Sequence, residues 1–164
     1  MPILLARVDN RLVHGQILSA WVPTLNADGL LVIDDEAARN TLVRSAMEIA
    51  IPPDLHFEVV PVAKGGDAWA RLPPASRTIV LLRDIGDVLR ALEGGLRIPK
   101  LNLGNIHFSH GRVPVTQAVH LSLEEISQLE TLESRGIPVE LKTLPSDPAL
   151  GLAEMKRRVA ARPA

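Results

Sequence analysis

Asp9, Arg11 and His14 follow one another where an apolar run ends, with Arg7 upstream inside that run and Gly15 and Gln16 just downstream. Residue types of this kind suit attack on phosphorus. A neutral imidazole offers a free lone pair, a forked guanidinium can grip phosphoryl oxygens, and a carboxylate can hold one ring nitrogen as donor so that the other is the nucleophile. On this reading Arg7 and Arg11 clamp a phosphoryl group, and Asp9 orients either the imidazole or an arginine. The plain alternative is a solvated loop in which His14 does no chemistry.

Such a loop has to be held by the elements around it. Apolar stretches rich in β-branched residues recur at "ILLARV", "GLLVID", "HFEVVPV", "RTIVLL", "KLNLG" and "VELKTL", mostly separated by segments with helical spacing. That alternation predicts an α/β fold: a doubly wound, mainly parallel sheet of six or seven strands with helices on both faces. Ligands of such sheets sit beyond the carboxyl ends of the strands, where the loop carrying residues 9–14 is placed. His14 would then face the positive end of the following helix, where an added anion is stabilised.

The helices can be read individually. Ile17, Leu18, Trp21, Val22 and Leu25 share one helical face, and residues 36–50 form another helix with Ala38, Leu42, Ala46, Met47 and Ala50 aligned. Ile85, Val88, Leu89 and Leu92 run to a stop at Gly94 and Gly95, and Ser122 with Glu125 reads as a capping box for a helix ending near Gly136. Asp147 before Pro148 predicts the cap of a last helix through Met155 and Val159. No repeat or linker divides the 164 residues, so residues 1–164 read as a single domain.

Composition removes several classes of function. With no cysteine there is no disulfide, thiolate metal site or cysteine nucleophile, and a net charge of −1 gives no global reason to bind nucleic acid. The short basic run Lys156, Arg157 and Arg158 reads as the cationic end of a helix. No apolar run is long enough to span a bilayer, which predicts a soluble, cytoplasmic protein. Neither G-x-G-x-x-G nor G-x-x-x-x-G-K-[ST] occurs, and "KGGDAW" at 64–69 is too little for a nucleotide-binding turn.

The string "ARVDNRLVHGQILSAW" resembles the active-site segment of the enzyme IIB subunits of the mannose/fructose/sorbose family of the bacterial phosphoenolpyruvate-dependent sugar phosphotransferase system. The likeness continues through "LLVIDDEAARNTLVRSAMEIAIPPDLHFEVVPVA", "GGLRIPKLNLGNI" and "VTQAVHLSLEEISQLETLESRGIPVELKTLPSDP", nearly the whole chain. It implies a phosphotransferase whose histidine accepts phosphate from a phosphohistidine on a IIA partner. That phosphate then passes to a sugar carried by membrane IIC and IID subunits, with no cofactor and no metal, the protein being held at the membrane through those partners. Carried over by position, His14 is the phosphorylated residue, at Nδ1, with Asp9 and Arg11 in support and Arg7 and Gln16 matching the motif.

One loop departs from the family pattern. Where relatives often carry an aromatic, a basic or polar pair, Gly and Lys, this chain has "NIHFSHGRVPVTQ". Phe108 to Gly111 fits in spacing, Arg112 can replace the lysine charge, and His110 is a candidate modulator of the site that carries no phosphate. His107 and His110, three apart, could instead hold a metal with His14, but the segment lacks a carboxylate and reads as loop. Asp34, Asp35 and Glu36 read as a helix cap, and His56 and His120 as structural residues. A stand-alone relay to another protein and a homo-oligomer both stay open at this stage.

Overall fold

A computed structural model describes residues 1–161 and contains, among them, nine strands. These are β1 (Ile3–Asp9), β2 (Gly29–Ile33), β3 (His56–Val60), β4 (Thr78–Leu82), β5 (Leu101–Asn105), β6 (Val113–Pro114), β7 (His120–Leu121), β8 (Val139–Leu141) and β9 (Leu150–Gly151). Seven form one sheet in the order β3-β2-β4-β1-β5-β8-β9, all parallel except the β8–β9 pair. This is the expected doubly wound α/β sheet. The antiparallel ribbon β6–β7 lies outside the expectation, because two-residue strands leave no period to read.

Both faces of the sheet are covered, which is why β2 and β4 are buried along their whole length and, Thr78 apart, apolar. On one face Ala6, Val8, Leu31, Ile33, Val80 and Leu82 pack against α4 (Gly65–Arg71), α5 (Ile85–Glu93), α6 (Leu123–Ser134) and α7 (Leu152–Ala161). On the other face Leu5, Leu30, Val32, Ile79 and Leu81 meet Ile17, Trp21, Val43 and Met47. That second layer consists of a π-helical turn (Ile17–Trp21), α1 (Val22–Leu25), α2 (Asp35–Arg39) and α3 (Thr41–Ala50). No helix among the described residues is long and apolar enough to cross a membrane.

Several local signals act as expected. Ser122 and Glu125 close the capping box of α6, Gly95 and Gly136 take positive φ after α5 and α6, and the Asp34 side chain caps α2 by accepting from Ala37 N–H. Two expectations need correction. Residues 36–50 are two helices, because Asn40 is extended and its Oδ1 accepts from Leu42 and Val43 N–H, starting α3 afresh. Asp147 does not open the last helix: its carboxylate accepts from Leu144 N–H in a turn, and Leu150 and Gly151 pair with β8 before α7 begins.

The sheet order positions the site. After β1 the chain moves toward β2 on one side, whereas β5, hydrogen-bonded on the other side of β1, leads away toward β8. Their loops part at the carboxyl edge, the crevice in which open α/β sheets place ligands.

Candidate active site

Asp9 is the last residue of β1, and its side chain is fully buried. A buried carboxylate needs partners, and here donors surround it. Oδ1 accepts from the backbone N–H of Arg11 at 3.0 Å and from Arg11 Nε at 3.1 Å. Oδ2 accepts from Arg11 Nη2 at 3.1 Å, Arg7 Nη2 at 3.3 Å and His14 Nε2 at 2.9 Å. Burial alone would push the Asp9 carboxyl up, but hydrogen bonds from His14 and Arg11 outweigh it and hold it well below the usual carboxylate range. Asp9 is therefore an anion that only accepts.

The turn that brings His14 back onto Asp9 is tight. Leu12 N–H donates to Asp9 O, and Leu12 takes a φ of 55°, a left-handed conformation costly for a leucine. Its buried side chain in the second core layer holds it there. His14 follows with its carbonyl accepting from Ile17 and Leu18 N–H, so the imidazole stands at the mouth of the helical segment, 15% exposed. Gln16 Oε1 lies 3.4 Å from Arg11 Nη2 and steadies the guanidinium.

Since Asp9 can only accept, Nε2 of His14 must carry the proton, which leaves Nδ1 with the lone pair. Among the described residues, Nδ1 makes no hydrogen bond.

Arg7 corrects the sequence reading. Its side chain is wholly buried, and its donors go to Asn102 Oδ1 (2.6 Å), Lys142 O (2.9 Å), Thr143 O (3.0 Å) and Asp9. It cannot clamp a phosphoryl group on the outer side of His14; it supports Asp9 from beneath. Burial pulls its pKa down to about 10, against the opposing attraction of Asp9. The ring of Trp21 lies 4.8 Å from the Arg7 Cζ, with Trp21 Nε1 donating to Thr143 O. That ring arrives on a turn widened by an i→i+5 bond from Val22 N–H to Ile17 O, just before Pro23, which has no N–H to donate.

From residue 3 to residue 161 the chain matches the family model described as PTS system sorbose subfamily IIB component. It belongs to that family. This IIB chain is 31% identical over 160 residues to the fructose-specific EIIB component of Bacillus subtilis (strain 168), covering 97% of its own length and 98% of the relative's. With the mannose-specific EIIAB component of Escherichia coli (strain K12) it shares 32% identity over 160 residues, 97% of this chain; it spans about half the length of that relative. Among solved structures, the IIBSor domain of the sorbose permease from Klebsiella pneumoniae superposes with a TM-score of 0.86 at 27% identity, covering 97% of this chain and 98% of that one. The IIB chain is thus a component of a phosphotransferase system.

The loop after β5 borders the crevice of this IIB component without entering the Asp9 constellation. His107 N–H donates to Asn10 Oδ1 at 2.5 Å, tying the two loops together, while Asn10 Nδ2 reaches Arg83 O at 3.2 Å. His110 is exposed and makes no hydrogen bond among the described residues. Arg112 does not supply a free charge as read from the sequence: Nε and Nη2 grip both oxygens of Glu125 at 2.9 Å, and Nη1 donates to His107 O. It staples the loop to α6. His120 is structural, its Nδ1 donating to Ile106 O at 3.1 Å. Among the described residues no three His, Cys, Asp or Glu side chains gather closely enough to hold a metal ion.

Sequence reasoning assigns no site role to Asn102, Gly104, Asn10 or Trp21, the last read only as part of a helical face. A signal was present for the first two, since "KLNLG" interrupts an apolar strand with an amide and a glycine. Gly104 is glycine for lack of space, because a Cβ there would fall on the Arg7 guanidinium, pinned by its hydrogen bonds. Gly104→Ala should therefore lower stability by about 1–3 kcal/mol, the usual cost of overpacking. A urea denaturation midpoint equal to that of the parent would show instead that Arg7 can move aside.

Proposed function

We propose that His14 is the phosphoacceptor of this IIB component and attacks through Nδ1. The observation that carries the reading is the 2.9 Å contact of His14 Nε2 with a carboxylate otherwise filled by arginine donors. In the first step the Nδ1 lone pair attacks the phosphorus of a phosphohistidine on a IIA partner; the new P–N bond forms as the donor's P–N bond breaks. In the second, a sugar hydroxyl oxygen attacks that phosphorus, its proton leaves to solvent or a base, and His14 recovers its lone pair. The sugar is presented by membrane IIC and IID subunits, and this protein works at the cytoplasmic side, joined to the membrane through them. Relatives named for fructose, sorbose and mannose systems favour transport over a stand-alone relay.

Each neighbour has a part. Arg11, partly exposed and held on Asp9 through Nε and Nη2, has Nη1 to offer a phosphoryl oxygen. Gln16 steadies Arg11, and Arg7 fixes Asp9 from below. His110, exposed on the loop that borders the crevice, modulates the approach of the donor and carries no phosphate itself. Incubation with phosphoenolpyruvate, the general phosphotransferase proteins and a IIA donor, followed by mass spectrometry, tests the reading: phosphate should map to His14 and be lost in acid but not in base. Phosphate on another residue defeats it.

Arg11→Ala should slow transfer by about 2–4 kcal/mol of barrier, the range for removing one donor from a charge-stabilising site. From surface position alone a stability loss of about 0.5 kcal/mol would be expected. Its hydrogen bonds to buried Asp9 raise that to about 1–3 kcal/mol. Rapid-quench kinetics and thermal melts separate the two effects, and unchanged transfer in the folded variant would remove Arg11 from the chemistry.

A further inference from the structure

Arg7, Asn102 and Glu140 are direct register partners on β1, β5 and β8, so three polar side chains form a row across adjacent strands of the sheet. Their hydrogen bonds run in one direction. Glu140, anchored at the surface by Lys100 Nζ at 3.1 Å, faces the Asn102 amide, with Nδ2 at 3.5 Å from Oε1. Asn102 is fully buried and turns Oδ1 to Arg7 Nη1 at 2.6 Å. Arg7 then donates to Asp9, and Asp9 accepts from His14.

Of these groups only Asn102 could reverse itself. An arginine can only donate, an ionised carboxylate can only accept, but an amide presents oxygen on one side and NH2 on the other. A flipped Asn102 would aim its NH2 at a buried guanidinium and leave two donors facing each other. The Glu140 carboxylate on the far side favours the observed orientation.

We propose that Asn102 is a positioning residue for phosphoryl transfer: through Arg7 it fixes Asp9, and through Asp9 it holds His14 with Nε2 protonated and Nδ1 presented to the phosphoryl donor. The proposal rests on the reading of His14 as the phosphoacceptor. Without the Asn102 oxygen, Arg7 Nη1 loses its shortest hydrogen bond and the guanidinium is free to re-aim toward the carbonyls of Lys142 and Thr143. Asp9 Oδ2 would then lose the contact at 3.3 Å and be held by Arg11 alone, free to swing away from His14 Nε2, and an imidazole released from the carboxylate samples both tautomers.

The test uses Asn102→Ala, Asn102→Asp and the full chain, with phosphoramidate as a small P–N donor that needs no partner protein. In that reaction His14 Nδ1 forms the new P–N bond, the phosphoramidate P–N bond breaks, and ammonia leaves with a proton from solvent. Two readouts are taken: the phosphorylation rate, and the His14 tautomer from 15N–1H NMR at about pH 8.5, above the ordinary histidine value of about 6.5. Wild type should show a single Nε2–H tautomer. Asn102→Ala should show a mixture and a rate lower by about 10- to 100-fold, the size typical of removing an outer partner of a metal-ligating histidine. Asn102→Asp, which keeps an acceptor oxygen for Arg7, should recover the tautomer and most of the rate in a Glu140→Gln background, where an amide and not a carboxylate faces its second oxygen.

If Asn102→Ala does not fold, Asn102→Ser carries the same expectation, because its hydroxyl falls one bond short of Oδ1 but leaves room for water. A folded Ala or Ser variant with the wild-type tautomer and rate overturns the proposal. A wild-type protein phosphorylated elsewhere than His14 overturns the reading beneath it, and the NMR readout distinguishes that failure because it requires no phosphate.

Discussion

His14→Ala should take up no phosphate from a phosphorylated IIA donor while remaining folded. The loss is expected to be complete rather than partial, because no second nucleophile is prepared for the task. The chain has no cysteine, the side chains of His107 and His110 make no hydrogen bond among the described residues, and His120, whose Nδ1 donates to Ile106 O, is held by a carbonyl and not by a carboxylate backed by arginines as His14 is. The cost to the fold is about that of one hydrogen bond to a charged group, about 1.5–3 kcal/mol, to which the contacts of a largely buried imidazole add. Intact-mass measurement after incubation with donor decides the matter: a variant that still gains one phosphate sinks the assignment, whichever residue carries it.

Asp9→Asn should have the next largest effect, and on two quantities at once. The amide conserves shape but can donate to His14 Nε2, reversing the tautomer; a comparable loss of tautomer control in a catalytic triad lowers turnover about 10⁴-fold, which sets the expectation for transfer here. The buried charge of Arg7 also loses its counter-ion. Removing one member of a buried pair typically costs about 3–5 kcal/mol, and this pair is fully buried on both sides. The acid response carries a sign that can be checked. With its pKa depressed in the folded protein, Asp9 contributes stability that is present above the ordinary carboxylate value of about 3.9 and lost as pH falls through the lower folded value, because the unfolded chain takes up the proton first. Wild-type stability should therefore fall across that acid window more steeply than that of Asp9→Asn. Parallel curves would mean that Asp9 does not carry this linkage.

The loop from Asp9 to His14 was readable because polar residues gathered at the end of an apolar strand, and strand ends are where parallel sheets place chemistry. Arg7 departs from the sequence expectation for a physical reason. Whether an arginine in a strand points to solvent or is swallowed depends on acceptors to receive it, and here they come from Asn102, Lys142 and Thr143, 95 to 136 residues further along. Nothing local in "LLARV" carries that information. The break at Asn40 had a local signal, an asparagine before a threonine, but helical spacing on both sides masked it. The late start of α7 had none, since it is set by Leu150 and Gly151 joining the sheet edge beside β8.

The row of Arg7, Asn102 and Glu140 also bears on how the chain finds its fold. Leucines alternate along β5, and apolar residues run along β1, so hydrophobic contact alone would tolerate these central strands sliding past one another. Were β1 to slip by one residue, Arg7 would face Leu101 or Leu103 and lose the Asn102 oxygen, keeping Asp9, which travels with it on the same strand. A two-residue slip restores the face but sets Arg7 beside Lys100 or Gly104, still without the Asn102 oxygen. Either misalignment leaves a buried guanidinium N–H without its acceptor, a penalty of about 1–3 kcal/mol. The guanidinium that braces Asp9 beneath His14 thus doubles as a ratchet tooth, favouring one alignment of the two middle strands.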